Sequence, residues 1–160
     1  MGLFSRKPKI NLEEAQKNKA KMRQLFNQAV PDGNSYQILY ATTGSTWKES
    51  GILSDTRVYQ FISLVFGYRE TDSNIVAVPV DIHLTEFSEP LEIRISEVKT
   101  AKYRKKEQTL EMTFQERGRK SMYFSFSDKE QNSQSFVDNV SQEDERQKLM
   151  AFAEKYCAKL

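Results

Sequence analysis

Apolar residues keep two different periods along this chain, and each change of period marks a new element. From Leu12 to Val30 the repeat is helical: Leu12, Ala15, Met22, Phe26 and Ala29 fall near one face, with Lys19 interrupting the stripe. Asn11 can cap the free amides of the first turn, Glu14 can complete a capping box three residues on, and Pro31-Asp32-Gly33 supplies a stop. So weakly amphipathic a helix can pack on its own domain, pair with a second copy in a homo-oligomer, or lie on a partner. Periodicity alone does not choose among these.

From Tyr36 the period becomes strand-like. Tyr36 to Ala41 is rich in residues that suit a pleated surface, Thr42-Thr43-Gly44-Ser45 reads as a turn, and the polar stretch from Lys48 to Asp55 reads as the longest loop of the sheet region. Val58 to Phe66 is apolar on both parities, which predicts a strand buried on both faces for part of its length. Ile75 to Leu84 alternates through Val76, Val78, Val80 and Ile82, with Pro79 on the opposite parity implying an edge or a bulge. A turn at Glu70 to Asn74 separates these two strands. The series Leu91-Ile93-Ile95, Val98 to Tyr103, Leu110-Met112-Phe114 and Met122-Phe124-Phe126 predicts a meander of short strands, turning at Arg104 to Gln108 and at Glu116 to Arg119. After Asp128 the helical period returns through Phe136, Val137 and Val140, then Leu149, Phe152, Ala153, Tyr156 and Leu160. An amphipathic terminal helix is a ready lid for the apolar face of an antiparallel sheet.

About seven strands, the last three in a tight meander, followed by a closing helix resemble the pleckstrin-homology-like superfold, and in particular its bacterial and GRAM-like members. The stretch Leu91 to Lys99, followed by Leu110 to Phe114, Tyr123 to Phe126 and Phe136-Val137, carries the likeness. The resemblance implies a mainly β, α+β fold: a split barrel of about seven antiparallel strands capped by the C-terminal helix, with an additional N-terminal helix. Residues 1–33 then form a tail and amphipathic helix, and residues 34–160 the pleckstrin-homology-like domain. In phosphoinositide-binding members, closely spaced basic residues on the first two strands clamp the phosphates. Here that region offers only Lys48 and Arg57 beside Glu49 and Asp55.

Charge and composition narrow the function further. The chain has 160 residues, enough for one domain, and 24 Lys and Arg against 22 Asp and Glu leave no whole-molecule field to draw it onto nucleic acid or anionic lipid, so any such binding has to be local. Cys157 is the only cysteine, so no internal disulfide forms and a reducing, cytoplasmic setting is expected. No apolar run approaches the length of about 20 residues that a membrane span needs. The start Met1-Gly2-Leu3-Phe4-Ser5-Arg6 fails the myristoylation pattern at Arg6, although Leu3 and Phe4 beside Arg6, Lys7 and Lys9 suit the anionic inner face of a membrane.

Candidate contact residues are Trp47 and Lys48 in the polar loop, and Lys102, Arg104, Lys105 and Lys106 with Lys99 in the densest basic cluster. Arg117, Arg119 and Lys120 form a second basic tip, about 20 Å away at about 3.3 Å per strand residue. His83 has no second histidine to share a metal with, Cys157 has no base other than His83, and Gly33 and Gly44 lack phosphate-loop spacing. No catalytic, cofactor or metal site emerges. The expected function is a non-catalytic module that binds a protein or peptide through loops or a sheet edge, with the Thr43 to Asp55 segment as its contact. The alternatives are a peripheral lipid-binding module, and a small-molecule carrier or hydrolase whose curved sheet holds a cavity lined by Phe61, Phe66 and Phe124.

Overall fold

The computed structural model describes residues 12–50, 55–126 and 141–160, the side chains of 45–50 and 55–61 excepted. Helix α1 (Leu12–Ala29) is followed by strands β1 (Gln37–Ser50), β2 (Asp55–Arg69), β3 (Asn74–Pro79) and β4 (Leu91–Ile93). Strands β5 (Val98–Arg104), β6 (Thr109–Phe114) and β7 (Met122–Ser125) come next, and helix α2 (Glu143–Ala158) ends the chain. The strands make one antiparallel sheet in the order β4-β3-β2-β1-β7-β6-β5. Two meanders are thus joined through β1 and β7, at the single register pair Thr42↔Ser125, and the sheet is not closed because β4 and β5 are its two ends. The expected mainly β, α+β class with seven antiparallel strands and a helix at each end is what the chain forms.

Both faces of the first meander are apolar, and each has its own helix. On one face Leu39, Ala41, Leu64, Phe66, Tyr68 and Ile75 pack with Leu110, Met112 and Phe124 under Leu149, Phe152 and Tyr156 of α2. On the other, Tyr40, Val65, Val76 and Val78 pack under Met22, Leu25 and Phe26 of α1. This double cover explains why β2 is buried at every position from Ser63 to Tyr68, as its two-parity apolar pattern implies. Helix α1 docks on its own sheet, the first of the arrangements open to it. The close approach is set by Gly67, where an added Cβ would lie 2.3 Å from Phe26 Cζ. Lys19, the break in the α1 stripe, is used for an ion pair: its Nζ lies 2.7 Å from Glu145 Oε1 of α2.

The second meander has α2 on its inner side, and among the described residues no helix packs on its outer side. Phe66 meets Phe124 and Phe126 edge-to-face with ring centroids 5.1 Å apart in each case, so aromatic rings pack the interior at the place proposed for a cavity. The side chain of Phe61, the third residue of that lining, lies outside the described residues.

Several local expectations are corrected. Thr42 to Ser45 does not turn: β1 runs on to Ser50, with Gly44 opposite Phe61 in an unbroken ladder, because β-branched threonines and a glycine continue a strand once a partner strand is alongside. The polar segment from Lys48 is therefore strand as far as Ser50, and 51–54 lie outside the described residues. The strand expected from Ile75 to Leu84 stops at Pro79, which is neither on an edge strand nor at a bulge but ends the ladder of an inner strand. Past it, the Asp81 carboxylate accepts bonds from the backbone N–H groups of His83, Thr85 and Glu86 and from the Thr85 hydroxyl, and Leu84 takes a positive φ of 57°. Ile95 lies in a short 3-10 turn, not in a strand. Leu12 and Leu160, counted in the two apolar stripes, are 67% and 43% exposed at the chain's outer turns. The Asn11 cap and Phe136, Val137 and Val140 lie outside the described residues. The turns at 70–73, 105–108 and 116–119 stand where the pattern placed them, with Gly118 at φ 85°.

Candidate functional site

Pairing distances define the first candidate surface. β1 and β2 pair from Gln37↔Tyr68 to Ser50↔Asp55 without a break. β7 pairs with β1 only at Thr42, and β3 pairs with β2 no further than Leu64, apart from a Val80 N–H bond to the Ser63 carbonyl. The eight pairs from Thr43↔Ile62 to Ser50↔Asp55 therefore run beyond the sheet as a two-stranded ribbon, about 25 Å long at about 3.4 Å per residue. Among the described residues no third strand pairs with it. Trp47 stands opposite Val58 and Lys48 opposite Arg57 in this register. The side chains of Trp47 and Lys48 lie outside the described residues.

The second candidate surface is the outer face of β5–β7, on the side where α1 covers only the first meander. Lys102 and Arg104 stand on it opposite Glu111 and Thr109, and Glu111 in turn stands opposite Tyr123. Arg104 Nη2 donates to Glu111 Oε2 at 3.0 Å, and the Tyr123 hydroxyl donates to Glu111 Oε1 at 3.3 Å. Lys105 and Lys106 are exposed in the turn that follows, and Lys99, also exposed, is the extra residue where the β5–β6 register shifts. Tyr123, 49% exposed, was not singled out from the sequence, although its parity against Phe124 places it on the solvent side.

Register also separates the two surfaces. Thr42, Ser125, Thr109 and Arg104 form one row across the sheet. The ribbon leaves on one side of that row and Lys105 and Lys106 lie on the other. Trp47 and Lys48 are thus not brought together with the basic turn. Arg119, from the second basic tip, sits at the ribbon end with its guanidinium 3.7 Å from the centre of the Phe114 ring and 3.9 Å from Glu97.

Gln142, just before α2, is buried, and its amide occupies the place where β7 would continue beside β1: Oε1 accepts from Tyr40 N–H at 2.7 Å and Nε2 donates to the Tyr40 carbonyl at 2.8 Å. The Cys157 thiol donates to the Ala101 carbonyl at 3.0 Å, and burial pushes its pKa up, against the direction a nucleophile needs. Burial also raises Tyr103, opposed by Arg146, and raises Tyr156, whose buried hydroxyl has no hydrogen-bond partner among the described residues. His83 is exposed on the Asp81 loop. Among the described residues no group of three His, Cys, Asp or Glu is placed to hold a metal, and no helix is long and apolar enough to cross a membrane.

The fold and these surfaces thus define a small mainly β protein with two covering helices, a projecting ribbon and a basic outer sheet face. No family model matches the chain, and neither the curated proteins nor the solved structures contain a match.

Proposed function

We propose that the protein is a non-catalytic interaction module that presents the β1–β2 ribbon to a protein or peptide partner in a reducing, cytoplasmic setting. The observation that carries this reading is the run of eight cross-strand pairs past the last strand that supports them. An isolated two-stranded ribbon is marginal in water, and this one carries Trp47, Val58, Tyr59, Phe61 and Ile62 in its sequence. Aromatic residues on a projecting element are effective anchors for a partner, because they bring large contact area at small entropic cost. The ribbon includes Thr43 to Ser50 and Asp55 of the Thr43 to Asp55 segment that the sequence marks as the contact, now as paired strands in place of a loop. The succession of strands and the C-terminal helix supports reading the fold as pleckstrin-homology-like.

The test removes the ribbon and keeps the sheet. Joining Thr43 to Ile62 through Asn-Gly in place of residues 44–61 gives the two-residue turn that suits a tight hairpin. The expected result is a cooperative thermal melt within a few degrees of the parent together with loss of the proteins that the parent co-purifies from cells. Retention of the same proteins by the shortened, folded chain overturns the reading.

A further inference from the structure

Positive charge is concentrated in one part of this fold. Eight Lys and Arg against three Glu lie between Val98 and Ser121, whereas the remainder of the chain carries sixteen Lys and Arg against nineteen Asp and Glu. Among the described residues no helix lies over the outer face of β5–β7, which displays Lys102, Arg104 and Tyr123, with Lys105 and Lys106 exposed at its turn. Arg104 is paired with Glu111, while Lys102, Lys105 and Lys106 have no carboxylate within ion-pair distance among the described residues.

We propose that this face rests on an anionic phospholipid surface. Three observations select that occupant. The unpaired cations are lysines, hydrated point charges that suit a diffuse sheet of negative charge better than the two-pronged recognition of a single phosphate or carboxylate. They are spread along a strand and its turn and do not converge on a pocket: Lys105 alone of them borders one, beside Glu143 and Arg146 of α2. The one large exposed side chain among them is a tyrosine, amphipathic like the residues that settle at bilayer headgroups. A single-stranded nucleic acid would call for a succession of stacking rings, and this face supplies one. A peptide strand added to the β5 edge would meet α2, whose Cys157 already holds the Ala101 carbonyl. The net acidic remainder orients the molecule, holding its other surfaces off the bilayer.

Co-sedimentation with vesicles tests this. The full chain should bind vesicles containing one third phosphatidylglycerol and ignore pure phosphatidylcholine, and raising salt from about 0.1 M to about 1 M should release it. Each lysine near an anionic bilayer is worth about a fivefold change in partitioning, so Lys105→Gln with Lys106→Gln should weaken binding about 25-fold, and adding Lys102→Gln about 100-fold. Lys17→Gln with Lys21→Gln on α1 should leave binding as it was, as should the ribbon-shortened chain, which separates this proposal from the reading of the ribbon. All substituted side chains are exposed, so melts should match the parent. Equal binding to neutral vesicles, equal loss from the α1 pair, loss on removing residues 1–9 but not on the triple substitution, or tighter capture by single-stranded RNA than by acidic vesicles overturns it.

Discussion

Gln142 shows how one side chain can do the work of a strand. Without its amide, the Tyr40 N–H and carbonyl that face away from β2 would lose their bonds in a buried setting, and each such loss costs about 1–3 kcal/mol. Gln142→Ala should therefore lower the unfolding free energy by roughly 2–4 kcal/mol, read from the midpoint of a urea melt. A loss below about 0.5 kcal/mol would mean that water enters and replaces both bonds. Nothing in the sequence marks this residue, since a glutamine before an acidic helix start reads as surface. Its burial follows from where β7 ends, which is a tertiary fact. By contrast Leu149, Phe152, Ala153 and Tyr156 were legible at once, because the spacing that makes a stripe is local and all four are buried.

At the scale of elements, legibility followed the number of neighbours. The meander β5–β7 has one apolar and one polar face, so alternation located its strands and both turns to within a residue or two. The ribbon misled, because Thr42, Thr43, Gly44 and Ser45 carry turn chemistry that a partner strand overrides. The strand after Asn74 misled in the other sense: its alternation outlasts the ladder, and Pro79 followed by the bonds gathered on Asp81 stops it early. Helix α1 offered a stripe but no destination, and Leu25, outside the stripe as read, is buried against the sheet. Its seat depends on Gly67. Gly67→Ala should cost roughly 1–3 kcal/mol by driving the Phe26 ring outward. Combined with Phe26→Leu, the loss should fall short of the sum of the two single losses, and a strictly additive double-mutant cycle would show that the two sites do not touch.

For the whole molecule, the perturbed ionisable groups set two edges of stability. The Arg69 hydrogen bond, opposed by partial burial, holds Asp72 below its ordinary value of 3.8. Burial pulls Asp81 upward, but the bonds from Glu86, Thr85 and His83 prevail and hold it below the same value. Depressed carboxylates stabilise the fold above pH 3.8 and lose that contribution as pH falls through their lower, folded values. Burial, with Glu70 and Glu145 nearby, pushes Tyr68 from 10.0 up to about 12, so its contribution is intact below pH 10 and is lost as pH climbs toward 12. Thermal melts should thus fall off at both extremes, with Asp72→Asn plus Asp81→Asn making the acid limb shallower and Tyr68→Phe removing part of the alkaline one, to which Tyr103, Tyr156 and Cys157, each raised by burial, also contribute. Unchanged limbs in these variants would show that other groups set them. Charge segregation belongs to this scale too, and the near-zero total conceals it because Lys99 to Lys120 offset acids placed elsewhere.

The double cover of β1–β3 has one more consequence. A sheet wet on one side aligns its strands by sidedness, since a slip of one residue turns greasy side chains to water. β2 is greasy on both sides from Leu64 to Phe66, and for it that safeguard is weak. Slide it by one position and Phe66 or Tyr68 would come beneath the Phe26 ring; slide it by two and Val65 or Arg69 would, each carrying atoms where only a hydrogen fits. A notch the size of one missing methyl group is what tells this strand where to stop.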